Sequence, residues 1–120
     1  MKIALSTTGN SLESPMDSRF GRAARFLIYD TDKGTYEILE NAGSLDAAHG
    51  AGVKTAESIA HLGVDCVISG HCGPNAFRVL KAAGIKIYNT DAPTVAQALE
   101  QFKAGTLQST DSADVGGHWA

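Results

Sequence analysis

VDCVISGHCGPNAFRVLKAAGIKIY, residues 64–88, decides the fold. Val64 to Ser69 is an apolar run of strand length, the kind that is buried on both faces. Beyond Gly73 and Pro74 the apolar residues Ala76, Val79, Leu80 and Ala83 recur as i, i+3, i+4, i+7, one stripe of an amphipathic helix. Pro74 suits the first helical position, where an N–H would have no partner inside the helix. Gly84 ends the run as a C-terminal cap, and Ile85 to Tyr88 is apolar again. A strand, a helix and a second strand in close succession require parallel pairing through a right-handed crossover.

Outward from this unit the same logic extends to both ends. Towards the C-terminus, Val95, Ala98, Leu99 and Phe102 repeat the helical stripe, with Thr94 or Asp91 as cap and Gly105 as stop. Towards the N-terminus, Val53, Ala56, Ile59, Ala60 and Leu62 predict another helix, closed by Gly63. Lys2 to Thr7 is a short apolar strand. Phe26–Asp30 and Tyr36–Asn41 flank the turn signal Asp32-Lys33-Gly34 and predict an antiparallel hairpin. The predicted order is β-β-β-α-β-α-β-α, an α/β protein with a five-stranded mixed sheet. Residues 1–106 form a single domain in this reading. Residues 107–120 form a polar tail, solvated except for His118-Trp119, which could fold back over a site.

Composition bounds the function. The chain has 120 residues, 43% of them hydrophobic, and a formal net charge of −3. One ordinary core is expected, and the acidic balance argues against non-specific nucleic-acid binding, which needs a basic face. No apolar run is long enough to span a bilayer, and the N-terminal segment lacks a signal-peptide core. A cytoplasmic location follows as the expectation. Its two cysteines, Cys66 and Cys72, are then expected as thiols. Cys66 lies inside an apolar strand and reads as an inert core residue; Cys72 lies on the turn beyond it.

Ligands of open α/β sheets bind outside the carboxyl ends of the strands. Three polar segments gather there: Ser6 to Arg25, Asn41 to Gly52, and Gly70 to Gly73. The second and third lead into helices, whose N-terminal amides attract anions. Gly50, Gly52, Gly70 and Gly73 would let a ligand approach the backbone. The first segment carries Arg19, Arg22 and Arg25, interleaved with Phe20 and Gly21, and three guanidiniums so close together suit a polyanion. The plainer alternative is a solvated loop whose arginines pair with Asp17 or Asp30. His49 and the adjacent His71 and Cys72 offer imidazole and thiolate, ligands for soft or borderline metals. Without CxxC or HxxxH spacing, a closed tetrahedral zinc site is not expected.

Two enzyme readings compete. Cys72 to Arg78 matches the C-x5-R phosphate loop of cysteine phosphatases. Against it, Pro74 removes an amide that such a loop needs, and Arg78 would fall on the first turn of a helix. A nuclease of the ribonuclease H type shares the general strand order. It needs a magnesium-binding carboxylate on the first strand, and Lys2 to Thr7 has none.

Five blocks, taken in order, carry a resemblance: Asp17-Ser18-Arg19-Phe20-Gly21-Arg22-Ala23, Phe26 to Asp30, Gly50-Ala51-Gly52, Gly63-Val64-Asp65, and Gly70-His71-Cys72-Gly73-Pro74. Together they resemble the dinitrogenase iron-molybdenum cofactor-binding family. The closing Asp111 to Trp119 resembles that family's orange protein subgroup. The resemblance implies a ribonuclease H-like three-layer fold without catalytic carboxylates. It further implies a non-catalytic binding or carrier protein for an anionic metal-sulfur cluster, either a molybdenum-copper sulfide cluster or a related iron-molybdenum-sulfur cluster. Protein partners in a cofactor-delivery or regulatory complex, and an anaerobic metabolism, are implied with it; a purely regulatory interaction module is the alternative. Carried over by position, the cluster-facing candidates are Arg19, Phe20, Gly21, Arg22, Arg25, His49, Gly50, Gly52, His71, Cys72 and Gly73, with His71 and Cys72 as candidate metal ligands.

Overall fold

A computed structural model describes residues 1–41, 51–107 and 109–110. Its strands are β1 (Lys2–Thr7), β2 (Arg25–Asp30), β3 (Thr35–Glu40), β4 (Cys66–Ser69) and β5 (Lys86–Asn89), and its helices are α1 (Ala51–His61), α2 (Pro74–Ala82) and α3 (Val95–Lys103). The sheet order is β3-β2-β1-β4-β5. β1, β4 and β5 run parallel, and β2 and β3 add antiparallel to the other side of β1. The expected five-stranded mixed sheet is therefore present, with the hairpin as its antiparallel wing.

Side chains alternate across the strands and so feed two cores. Ala4, Phe26, Ile28, Val67 and Ile87 face α1 and α2, where Ala56, Ile59, Phe77 and Leu80 meet them. Ile3, Leu5, Leu27, Cys66 and Ile68 face the opposite way, onto Val95, Ala98 and Leu99 of α3. The result is three layers: two helices, the sheet, one helix. Because both faces of the sheet are covered, β1 is buried from Ile3 to Thr7 and every residue of β4 is buried. That explains why the central strands read as continuous apolar runs, whereas β3, at the sheet's margin, is exposed or half-buried throughout.

The helix ends follow the sequence signals. Gly63 and Gly84 adopt φ of 70° and 78°, the left-handed conformation that lets the chain leave a helix and turn into the next strand. Thr94, not Asp91, caps α3, its hydroxyl accepting from Gln97 N at 3.2 Å. β4 begins two residues later than the apolar run predicts. Asp65 is exposed, and its carboxylate instead accepts from Lys2 N at 2.8 Å, pinning the start of β1. Beyond α3 the chain returns to the sheet: Ser109 bridges Tyr88, and Thr110 N donates to Ile87 O at 2.8 Å. The chain is thus still tied to β5 beyond residue 106. His118 and Trp119 lie outside the described residues. No described helix is long and apolar enough to cross a membrane.

Candidate functional site

The long segment between β1 and β2 is laced to the carboxyl ends of β1 and β4. Asp17 N donates to Ser6 O at 2.9 Å, and Ser6 Oγ donates back to Asp17 O at 2.6 Å. Thr7 Oγ1 donates to Pro15 O at 2.7 Å. Next along the chain, Arg19 forms a parallel bridge with His71, closed by Phe20 N donating to His71 O at 2.9 Å. The arginine-bearing segment and the His-Cys bend, far apart in sequence, therefore share one backbone seam. A glycine is required where they meet: a Cβ on Gly70 would stand 2.7 Å from both Cα and O of Ser18.

Asp17 organises the seam. Its carboxylate is buried, with side-chain exposure of 4%. Oδ1 accepts from Arg19 N at 3.0 Å and from Arg19 Nε at 3.2 Å, an Asx turn reinforced by an ion pair. The Arg19 side chain is 62% exposed, so the pair orients the guanidinium more than it stabilises the protein.

A cavity of about 750 Å³ opens beside this seam, on the α3 side of the sheet. The first segment contributes Met16, Asp17 and Ser18 to it, and the end of β4 contributes Gly70 and His71. Asn89 to Ala92 line it from the end of β5, and Gln101, Thr106 and Leu107 close it from α3 and the residues that follow. Its charged lining consists of the carboxylates of Asp17 and Asp91; no lysine or arginine is among the described lining residues.

Of the cluster-facing candidates, His71 lines this cavity, next to Gly70. Phe20 and Cys72 lie elsewhere: each is only 1% exposed and belongs to the core between the sheet, α1 and α2. Phe20 packs edge-on against Phe26, their ring centroids 5.2 Å apart. A cluster could reach either side chain only by drawing it out of that core. The bend that carries Cys72 turns its side chain inward because the adjacent Gly73 and Pro74 start a helix whose stripe also faces inward. Cys72 is buried and Arg78 lies within α2 instead of closing a cradle, an arrangement that counts against the C-x5-R reading.

Gly52 is also accounted for by packing: a Cβ there would meet Ala76 Cβ at 3.2 Å, where α1 and α2 cross. Gly21 lends its carbonyl to a buried polar knot, lying 3.1 Å from Thr55 Oγ1 and 3.4 Å from Asn41 Nδ2. Arg25 is held by Glu40, its Nε donating to Oε2 at 2.8 Å, and by Thr8 O at 3.1 Å. Sequence reasoning allowed pairing with Asp17 or Asp30; Glu40 is the partner because it stands opposite Arg25 in the β2–β3 register. Arg22 is exposed. His49 and Gly50 lie outside the described residues.

Gly73 remains available to a ligand. It is the N-cap of α2, with φ −68° and ψ 166°, and no side chain caps the helix. A Cβ at Gly73 would meet nothing within 4 Å. α2 thus starts two residues after His71, and no side chain satisfies its first amides. Among the described residues no three His, Cys, Asp or Glu side chains gather closely enough to hold a metal ion.

The residues missed from sequence are those after β5, from Asn89 to Ala92, and those that close the cavity after α3. In the sequence Asp91 reads only as a helix cap. A signal existed: a strand parallel to β4 must end at the same edge, so the segment after it had to border the site.

A three-layer α/β protein with an arginine-bearing segment seamed to a His-Cys bend defines the class. The chain belongs to the dinitrogenase iron-molybdenum cofactor family, whose sequence pattern matches residues 1–105. The apo form of the orange protein from Desulfovibrio gigas is similar, with 35% identity and a TM-score of 0.92 over 95% of this chain and 96% of that one. A Thermotoga protein of the DUF35 family, solved by NMR, is 38% identical with a TM-score of 0.84, covering 97% and 98%. An uncharacterized protein of Methanocaldococcus jannaschii is 35% identical over 111 residues, 90% of each chain.

Proposed function

We propose that the protein binds and carries an anionic metal-sulfur cluster without performing a reaction on it. The carrying observation is the Arg19–His71 bridge, which holds a guanidinium-bearing segment two residues from the uncapped amides of α2. Family membership and the likeness to the orange protein support the reading. A thiometallate is a bulky anion with soft sulfur edges. Arg19 and Arg22 would offset its charge, the α2 amides and the His71 ring would donate hydrogen bonds to sulfide, and Gly73 would leave it room. Coordination by Cys72 has no place in this arrangement, because its sulfur is in the core. Recognition rests on charge and fit, so added salt opposes it.

The test uses apo protein mixed with tetrathiomolybdate and a copper salt, then desalted. A visible absorption band and retained molybdenum are expected. Arg19→Ala combined with Arg22→Ala should weaken retention by about tenfold or more, the equivalent of roughly 1.4 kcal/mol. A colourless protein fraction without molybdenum overturns the proposal.

A further inference from the structure

Apart from His71, the lining of the cavity beside the seam has no part in the cluster reading. An anion entering it would face Asp17 and Asp91 with no lysine or arginine among the described lining residues. The Asp17 charge is offset by Arg19 from outside. The Asp91 carboxylate is exposed and has no hydrogen-bond or ion-pair partner among the described residues. Desolvating an anion beside an unopposed carboxylate is unfavourable, whereas a cation gains from it.

The remaining lining completes a recognisable pattern. The Gln101 amide uses its oxygen to accept from Thr90 Oγ1 at 2.6 Å, which leaves its NH2 group without a partner among the described residues. The Ser18 hydroxyl likewise has none. Met16 and Leu107 supply apolar wall. A charged acceptor, two neutral polar groups and an apolar wall in one cleft make up the usual composition of a small-molecule site.

We propose that this cavity receives a small organic cation with an ammonium or guanidinium head on a short aliphatic stem. The head lies against Asp91 and the stem along Met16 and Leu107, while Ser18 and Gln101 hydrogen-bond the polar remainder. The site borders the proposed cluster-binding face at His71 and differs from it in charge, so ligands of opposite sign would occupy adjoining surfaces.

Agmatine serves as the probe, added to isotope-labelled apo protein and followed by amide NMR shifts. Saturable shifts are expected at Ser18, Asn89, Asp91 and Leu107, with Asn75 at the start of α2 unmoved. Asp91→Asn should weaken agmatine binding by about fivefold while leaving tetrathiomolybdate retention unchanged. Three results overturn the proposal: shifts that never saturate and spread over all acidic surface residues, agmatine affinity unchanged in Asp91→Asn, or tetrathiomolybdate displacing agmatine from the same amides. Retained molybdenum with no agmatine site defeats this inference alone, and an agmatine site on a protein that retains no molybdenum defeats the carrier reading alone.

Discussion

Two cysteines that look similar in composition end in opposite layers of the molecule. Cys66 points to α3 and Cys72 to α1 and α2, and both are buried. A thiol reagent at pH 8 should therefore modify neither in the native protein and both after unfolding in guanidinium chloride. Burial, with the nearby Asp65 charge second, pushes the Cys66 thiol up to about 12 from an ordinary 9.0. The folded state thus holds this proton where the unfolded chain releases it. The stability it contributes is intact below pH 9 and is lost as pH rises from 9 toward 12, by about tenfold in the folded-to-unfolded ratio per pH unit. Denaturant titrations across that range should show the fall, and Cys66→Val should flatten it. Gly70 gives a second prediction at this scale. Gly70→Ala drives a Cβ into the Ser18 backbone, which cannot swing aside as a side chain would. A loss of about 1–3 kcal/mol is expected, read as a lower denaturation midpoint. Neither the inward turn of Cys72 nor the tight approach at Gly70 could be read from the chain. Both depend on what lies across the seam, which local pattern does not encode.

The helices and strands themselves were legible, because each is dictated by a period that the chain carries openly. Ala76, Val79 and Leu80 lie on α2 as their spacing requires, and Gly63 and Gly84 close helices where expected. What periodicity missed is the polar knot that ties α1 to the hairpin. Thr55, in the middle of α1, places its hydroxyl 3.2 Å from Asn41 Oδ1 and 3.1 Å from Gly21 O, and Asn41 Nδ2 donates to Ala23 O at 2.7 Å. Thr55 is 1% exposed. A lone threonine in a helical stripe gives no sign of this, since its partners come from two other segments. Thr55→Val keeps the shape and removes the donor, leaving buried acceptors short of a hydrogen bond. It should cost about 1–3 kcal/mol by chemical denaturation, with the helical circular dichroism of the folded state unchanged.

For the whole molecule, the parallel strands direct the candidate segments to one sheet edge, but the distribution of charge along that edge was not legible in the sequence. Three arginines close in sequence are not equivalent in space. Arg25 faces Glu40 across the β2–β3 pairing, whereas Arg19 sits at the His71 seam. Arg25→Ala should accordingly leave molybdenum retention within about twofold and change stability by less than about 1 kcal/mol, in contrast to the Arg19, Arg22 double variant. The return of the chain at Ser109 and Thr110 bears on the opposite flank of the sheet. These residues hydrogen-bond the outer side of β5 and so shield one of the two margins at which a foreign strand could add. A fibre grows only from subunits that are sticky at both ends. With β5 partly sheathed by its own chain, strand exchange through β3 would terminate at a pair of molecules instead of propagating.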